Sequence, residues 1–243
     1  MSSEDTNYFT KANLDDYLRE LGKEYRRLNG KKGMPAEIIL IGGAAIIANY
    51  GFRDTTTDVD AVIHAVSSMK DAINRVGDKY KLPNGWLNAD FMKTGSYSPK
   101  LEEFSVRYRE FSNVLEVRTI AAEYLIAMKL RSGRKYKNDL SDIIGILYEH
   151  EKRGNPLMLE DIDKAVSNLY GGWETIPADS ILFIKDTMKK SNLEKAYQAV
   201  RNEEKRSKDL LIQFEADYPG ITNTENADTI LDTLKRKKKQ ESE

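Results

Sequence analysis

The chain has 243 residues and no cysteine. That excludes disulfides, thiol nucleophiles and cysteine-ligated zinc, and it fits a reducing cytoplasm. Histidine is nearly as scarce: His64 and His150 are the only two, and they lie far apart in the sequence. A histidine-based metal site or a serine–histidine triad is therefore not expected. Long apolar runs are missing too. The longest, around Ile38 to Ala48, is interrupted by glycine and falls short of the ~20 residues a membrane-spanning helix needs. Met1 to Thr10 is polar and has no apolar signal core. Nor does charge of one sign dominate. The formal net charge is −1 although 32% of residues are charged, so affinity for nucleic acid has to come from local patches. What remains is a polar chain long enough for one large domain or two small ones.

The most informative stretch is Ile38 to Ile63, I-I-L-I-G-G-A-A-I-I-A-N-Y-G-F-R-D-T-T-T-D-V-D-A-V-I. Ile38 to Ile41 is a short, bounded run of aliphatic residues and reads as a strand buried on both faces. Gly42-Gly43 ends it, and Ala44 to Asn49 has helix-forming composition. A strand, two glycines and a helix start make an anion site, because glycine lets backbone approach a phosphate and the first helical N–H groups point at it. The plain alternative is a tight strand-to-helix turn. Asp58 to Ile63 alternates, so Val59, Ala61 and Ile63 face one side of a strand and Asp58 and Asp60 the other. Their Cα atoms would lie about 7 Å apart. Two carboxylates at that spacing can share a metal ion or bridge two, as in phosphoryl-transfer sites. Mg²⁺ favours such a set, completed by phosphate oxygens. The alternative is an edge strand with two solvated charges.

Together these features resemble the nucleotidyltransferase superfamily of the DNA polymerase β type. Its signature is Gly-Gly or Gly-Ser at a helix start, followed by a strand carrying Asp-x-Asp, matched here by Gly42-Gly43 and Asp58-Val59-Asp60. Arg53, Thr55 and Thr57 resemble the R-x-T-x-D-x-D form of bacterial nucleotidyltransferase-like proteins related to the AbiEii-type toxins. The resemblance covers roughly Glu37 to Ile63 and continues more weakly from Glu123 to Tyr148. It implies an α/β (α+β) fold, a small mixed-sheet core flanked by helices (1–120) and a C-terminal helical domain (121–243). It also implies Mg²⁺ (or Mn²⁺) held by Asp58, Asp60 and a third acid on a later strand. Glu116, in N-V-L-E-V-R-T, is the candidate for that acid, where many relatives carry aspartate. Glu116 would complete the metal site or act as base, or it would pair with Arg107, Arg109 or Arg118 in a surface ladder.

The segment A-M-K-L, a basic turn, then N-D-L-S-D-I resembles the K-L…R…K-D-L-x-D-I segment of the AbiEii-like group. Carried over, Lys129 and Asp139 or Asp142 project toward the cleft, with Lys129 on the nucleotide phosphates; the alternative is an exposed lysine and a capping acid. Nucleotide contacts are thus expected from Gly42, Gly43, Arg53, Thr57, Lys129, Asp139 and Asp142. The implied partners are a nucleoside triphosphate, an acceptor hydroxyl on RNA, protein or a small molecule, and an antitoxin protein; no membrane is implied. A catalytically silent nucleotide- or protein-binding module is the rival reading.

Elsewhere, helical spacing predicts a helix capped by Asn13 that runs to about Leu28, helices over 67–79 and 121–131, one over 138–149 with Leu140, Ile143, Ile144 and Leu147 on its inner stripe, and four more segments between Leu159 and Lys238. Alternation predicts strands over Phe104–Arg109 and Val114–Ile120. Trp86, Phe91 and Tyr97 are candidates for walling a base pocket or for plain core. Lys31 and Lys32 could reach a phosphate, and the Lys235–Lys239 run reads as a solvated tail or a phosphate contact.

Overall fold

The computed structural model describes residues 8–30, 34–223 and 226–240. Lys31 and Lys32, and the N-terminal residues before Tyr8, lie outside the described residues. Helix α1 spans Lys11–Asn29 and buries Leu14, Leu18, Leu21 and Tyr25 at helical spacing. Its cap is Thr10 rather than Asn13. The Asn13 amide donates to Thr10 Oγ1, and Asn13 Oδ1 accepts from the Thr10 amide at 2.7 Å, a reciprocal capping box.

Strand β1 (Ala36–Leu40) runs into α2 (Gly42–Asn49), with Ile41 as the cap residue. Strand β2 (Val59–His64) returns antiparallel to β1. Helix α3 (Ser68–Tyr80) and a short β3 (Leu87–Asn88) follow. Then come β4 (Ser105–Phe111), β5 (Leu115–Ile120) and α4 (Ala122–Ser132). The five strands form one mixed sheet in the order β3-β2-β1-β5-β4. Strand β1 is central, antiparallel to β2 and parallel to β5, which is why Ile38, Ile39 and Leu40 are almost wholly buried. The α/β class with its mixed sheet, flanking helices and C-terminal helices is the architecture expected from the sequence.

Helix α5 (Asp139–Lys152), α6 (Leu159–Tyr170), α7 (Ala178–Thr187), α8 (Leu193–Asp217) and α9 (Ala227–Gln240) complete the chain. Two compact units result. The first takes in Met1–Met128 and Asp161–Gly172, the second Lys129–Glu160 and Trp173–Glu243. The division falls inside α4, and most of α6 belongs with the sheet. In the first unit, Phe104 stacks on Tyr124 at 3.9 Å, and Asn168 of α6 donates to the Tyr124 hydroxyl. In the second, Leu211, Ala227 and Leu231 form a small core between α8 and α9. The basic run is therefore not a loose tail up to Gln240: it continues α9, and Lys235 pairs with Glu203 at 2.5 Å. No helix among the described residues is long and apolar enough to cross a membrane.

Candidate active site

The junction of β1, α2 and β2 gathers most of the expected site in the first unit. Gly42 opens α2 with φ +56°, a left-handed backbone that glycine adopts at no steric cost. A Cβ placed on Gly42 would stand 4.0 Å from Asp60 Oδ2. The helix start and one carboxylate are thus neighbours. The Ile41 amide donates to the Asp60 carbonyl at 2.9 Å, which ties the cap residue to the head of β2. Asp58 lies one residue before the strand and is exposed, while Asp60 is half-buried.

Gly43 is needed for a different reason. A Cβ there would lie 2.4 Å from Thr56 Oγ1 and 2.9 Å from Arg53 Nη2, distances at which something must shift. Arg53 and Thr56 therefore press on the first turn of α2. The Arg53 Nε donates to the Thr55 carbonyl at 2.9 Å, which curls the arginine over its own loop. Thr57 is exposed at the same loop. Thr56, which sequence reasoning passed over between its two neighbours, is the buried member of the threonine run. Its parity with Asp58 in an extended chain was the signal available.

Glu116 is not brought to this place. Its side alternates as expected: Glu37, Glu116 and His64 are register partners across β1, β5 and β2, so Glu116 shares the face of Asp60. Along the strands, however, Glu116 is level with His64, four residues beyond Asp60, on the order of 13 Å away at strand rise. The residue level with Ile41 and Asp60 is Ile120, one step past the Leu40–Thr119 pair. Glu116 instead accepts from Arg118 at 3.3 Å, and Arg118 lies 3.7 Å from Glu37. That is the surface ladder. The described residues hold no group of three or more acids and histidines able to bind a metal. The Asp58–Asp60 pair beside a helix start fits one Mg²⁺ or Mn²⁺ completed by phosphate oxygens, not a three-carboxylate set.

Lys129, Asp139 and Asp142 do come together, within the second unit. Lys129 Nζ lies 2.7 Å from Asp139 Oδ1 and 3.0 Å from Asp142 Oδ2, and Arg134 Nε reaches Asp139 Oδ2 at 2.8 Å. Asp139 is 0% and Asp142 1% exposed. Burial pushes the Asp139 carboxyl up, but the Lys129 and Arg134 charges outweigh it and hold the group well below the usual carboxylate range. Lys129 is itself 9% exposed. Its ammonium is neutralised by two buried carboxylates, the geometry of an internal clamp joining the end of α4 to the start of α5. Glu204 of α8 adds to the cluster. Its Oε1 accepts from the Leu140 and Ser141 amides at 2.9 and 3.2 Å, capping α5. Burial, aided by Asp142, pushes Glu204 up to about 7.

The aromatic candidates divide. Trp86 is core: it stacks on Phe9 at 6.0 Å, meets Tyr17 edge-on and donates to the Ile73 carbonyl. Phe91 and Tyr97 are half-buried and meet edge to face at 5.9 Å.

A family model described as nucleotidyltransferase of unknown function (DUF6036) matches residues 16–150, more than half of the chain. The chain belongs to this nucleotidyltransferase family. The match spans β1 to β5 and the Gly-Gly and Asp-x-Asp elements described above. No curated protein and no solved structure matched the chain.

Proposed function

We propose that this member of the nucleotidyltransferase family is a cytoplasmic, metal-dependent enzyme that moves a nucleoside monophosphate from a nucleoside triphosphate to a hydroxyl acceptor. The observation that carries this reading is the 4.0 Å between Asp60 Oδ2 and the Cβ position of Gly42. A carboxylate beside a helix start suits a metal–phosphate pair: the carboxylate would hold the ion, and the helix N–H groups would attract the phosphate. Asp58 and Asp60 would hold Mg²⁺ (or Mn²⁺), which supplies charge neutralisation and polarisation of a phosphoryl oxygen when bound. Gly42 and Gly43 present backbone N–H groups to the phosphates. Arg53, folded over the same turn, and the exposed Thr57 add donors at its rim. The acceptor oxygen bonds to the α-phosphorus, the bond to the bridging oxygen breaks, and pyrophosphate leaves with the electron pair. The acceptor proton passes to solvent, because Glu116, the expected base, stands four register steps away. Catalysis is then mainly positioning and electrostatics.

The acceptor class is RNA, protein or a small molecule. A toxin of the AbiEii-like kind, held by an antitoxin protein, is the biological setting that the resemblance implies. The reading is tested by transfer of label from [α-³²P]-nucleoside triphosphates to RNA and protein acceptors. Transfer lost in Asp58→Ala supports it, and transfer unchanged in the Asp58→Ala/Asp60→Ala variant overturns it. One observation favours a second reading, a catalytically silent nucleotide- or protein-binding module: Asp58 and Asp60 lack Glu116 as a third carboxylate. In that case metal-dependent nucleotide binding persists without transfer.

A further inference from the structure

We infer that Thr56 is a positioning residue that aims the Asp58 carboxylate; the inference rests on the metal reading above. Thr56 is 3% exposed although it is polar, and a buried hydroxyl needs partners. Its backbone is held by Phe9 in both directions, the Phe9 amide donating to the Thr56 carbonyl at 2.8 Å and the Thr56 amide to the Phe9 carbonyl at 2.9 Å. Phe9 is locked in turn among Tyr17 and Trp86. The threonine backbone is thus fixed from the rear by an aromatic cluster.

On the other side, Thr56 Oγ1 lies 3.4 Å from Arg53 Nη2 and 3.3 Å from Asp58 Oδ1. A guanidinium can only donate, so the hydroxyl oxygen accepts from Arg53 and its single proton is directed to Asp58. The direction of the relay follows from the residue types. Cβ of Thr56 also sits 3.0 Å from the Cβ position of Gly43, so the same side chain abuts the first turn of α2. Thr56 therefore fixes Asp58 and the helix start against one another. Asp58 is exposed and precedes the strand, so β2 pairing alone does not hold its carboxylate. Partners of this kind orient metal ligands and strengthen binding through them.

The test is Mn²⁺ binding to the full chain, followed by water-proton relaxation with Mn²⁺ alone, on wild type, Asp58→Ala/Asp60→Ala, Thr56→Val and Thr56→Ser. Valine keeps the shape against Gly43 and loses the proton; serine keeps the proton and loses the methyl. Thr56→Val is expected to weaken Mn²⁺ binding about tenfold, the low end for an outer-shell partner of a metal ligand, and Thr56→Ser to bind as wild type does. Should Thr56→Val not fold, Thr56→Ala makes the same deletion with the same expectation. Unchanged binding in the hydroxyl-less variant overturns the inference. Equal weakening in the serine and valine variants also overturns it, by showing a packing role. A wild-type response that ignores Asp58 and Asp60 defeats the metal reading itself, and the role of Thr56 with it.

Discussion

Two pairs of aspartates in this chain invite comparison. Asp58 and Asp60 are two apart at the head of a strand, beside a helix start, with Asp58 exposed and accepting from a hydroxyl. Asp139 and Asp142 are three apart on a helix, fully buried, and neutralised by an ammonium and a guanidinium. Both pairs lie in motifs that resemble functional segments, yet their surroundings differ. Buried carboxylates are tolerated when cations inside the protein match them, and a pair so matched has little charge left for a ligand. Asp58, exposed, and Asp60, half-buried, lie at the head of a strand beside a helix N-terminus, and it is this less buried pair that the proposed function assigns to a cation brought with a substrate. Spacing alone does not separate the cases; burial and local cations do.

The largest effect that would break this comparison is in the buried pair. Lys129→Met leaves Asp139 and Asp142 without their shared ammonium, and loss of one partner in a buried cluster costs about 3–5 kcal/mol. Denaturant unfolding checks it. A loss under about 1 kcal/mol, the level of a surface ion pair, would show that the cluster is not a clamp. Asp58→Ala, at the exposed member of the other pair, is expected to change stability by no more than about 0.5 kcal/mol, as exposed sites do.

The next effect is in pH. Glu204 sits beside Asp142 with its pKa raised to about 7. In the unfolded chain it ionises near the ordinary 4.5. Between those values the folded state keeps a proton that the unfolded state has lost, so stability falls as pH rises through this window, by up to about 3 kcal/mol. Asp139 has the opposite sign: its depressed pKa stabilises above the usual carboxylate range, and that contribution is lost as pH falls below about 4. Glu204→Gln should flatten the slope of unfolding free energy between pH 4.5 and 7. A slope retained in the variant would assign the titration elsewhere.

A smaller effect sharpens the open pair. Gly43→Ala forces a methyl against Thr56 Oγ1 and Arg53 Nη2, and overpacking costs about 1–3 kcal/mol. Thermal unfolding checks the stability, and metal binding is expected to fall with it, since Thr56 is displaced from Asp58. A fully stable, fully binding Gly43→Ala variant would show that the turn is not packed as described.

Much of the open site was legible because its signals are local. A buried aliphatic run, two glycines and an alternating Asp-Val-Asp depend on neighbours within a few residues, and they lie at the β1–α2–β2 junction as the pattern implies. Helix periods were legible for the same reason, although Thr10 displaced Asn13 as cap because the box needs its acceptor three residues ahead of the paired amide. Glu116 failed for a non-local reason. Parity names the face of a strand, but position along it is set by pairing with β1, and that pairing puts Ile120 rather than Glu116 beside Asp60. The buried pair was illegible as such. On α5 the apolar spacing pointed Leu140 inward, whereas Asp139, Ser141 and Asp142 are buried and Leu140 is only half so. Cations on another helix and in the preceding turn make that arrangement stable. Thr56 was hidden by composition, since three threonines in a row look alike until one of them is buried.

The most direct measurement is calorimetry of each of the four ribonucleoside triphosphates, with and without Mg²⁺, on wild type and on Asp58→Ala/Asp60→Ala. The expected result is binding of at least one nucleotide that needs both the metal and the two aspartates, with the double variant folded and silent. Nucleotide binding that survives loss of both aspartates, or no binding of any nucleotide in the presence of Mg²⁺, would contradict the placement of the site at the β1–α2–β2 junction.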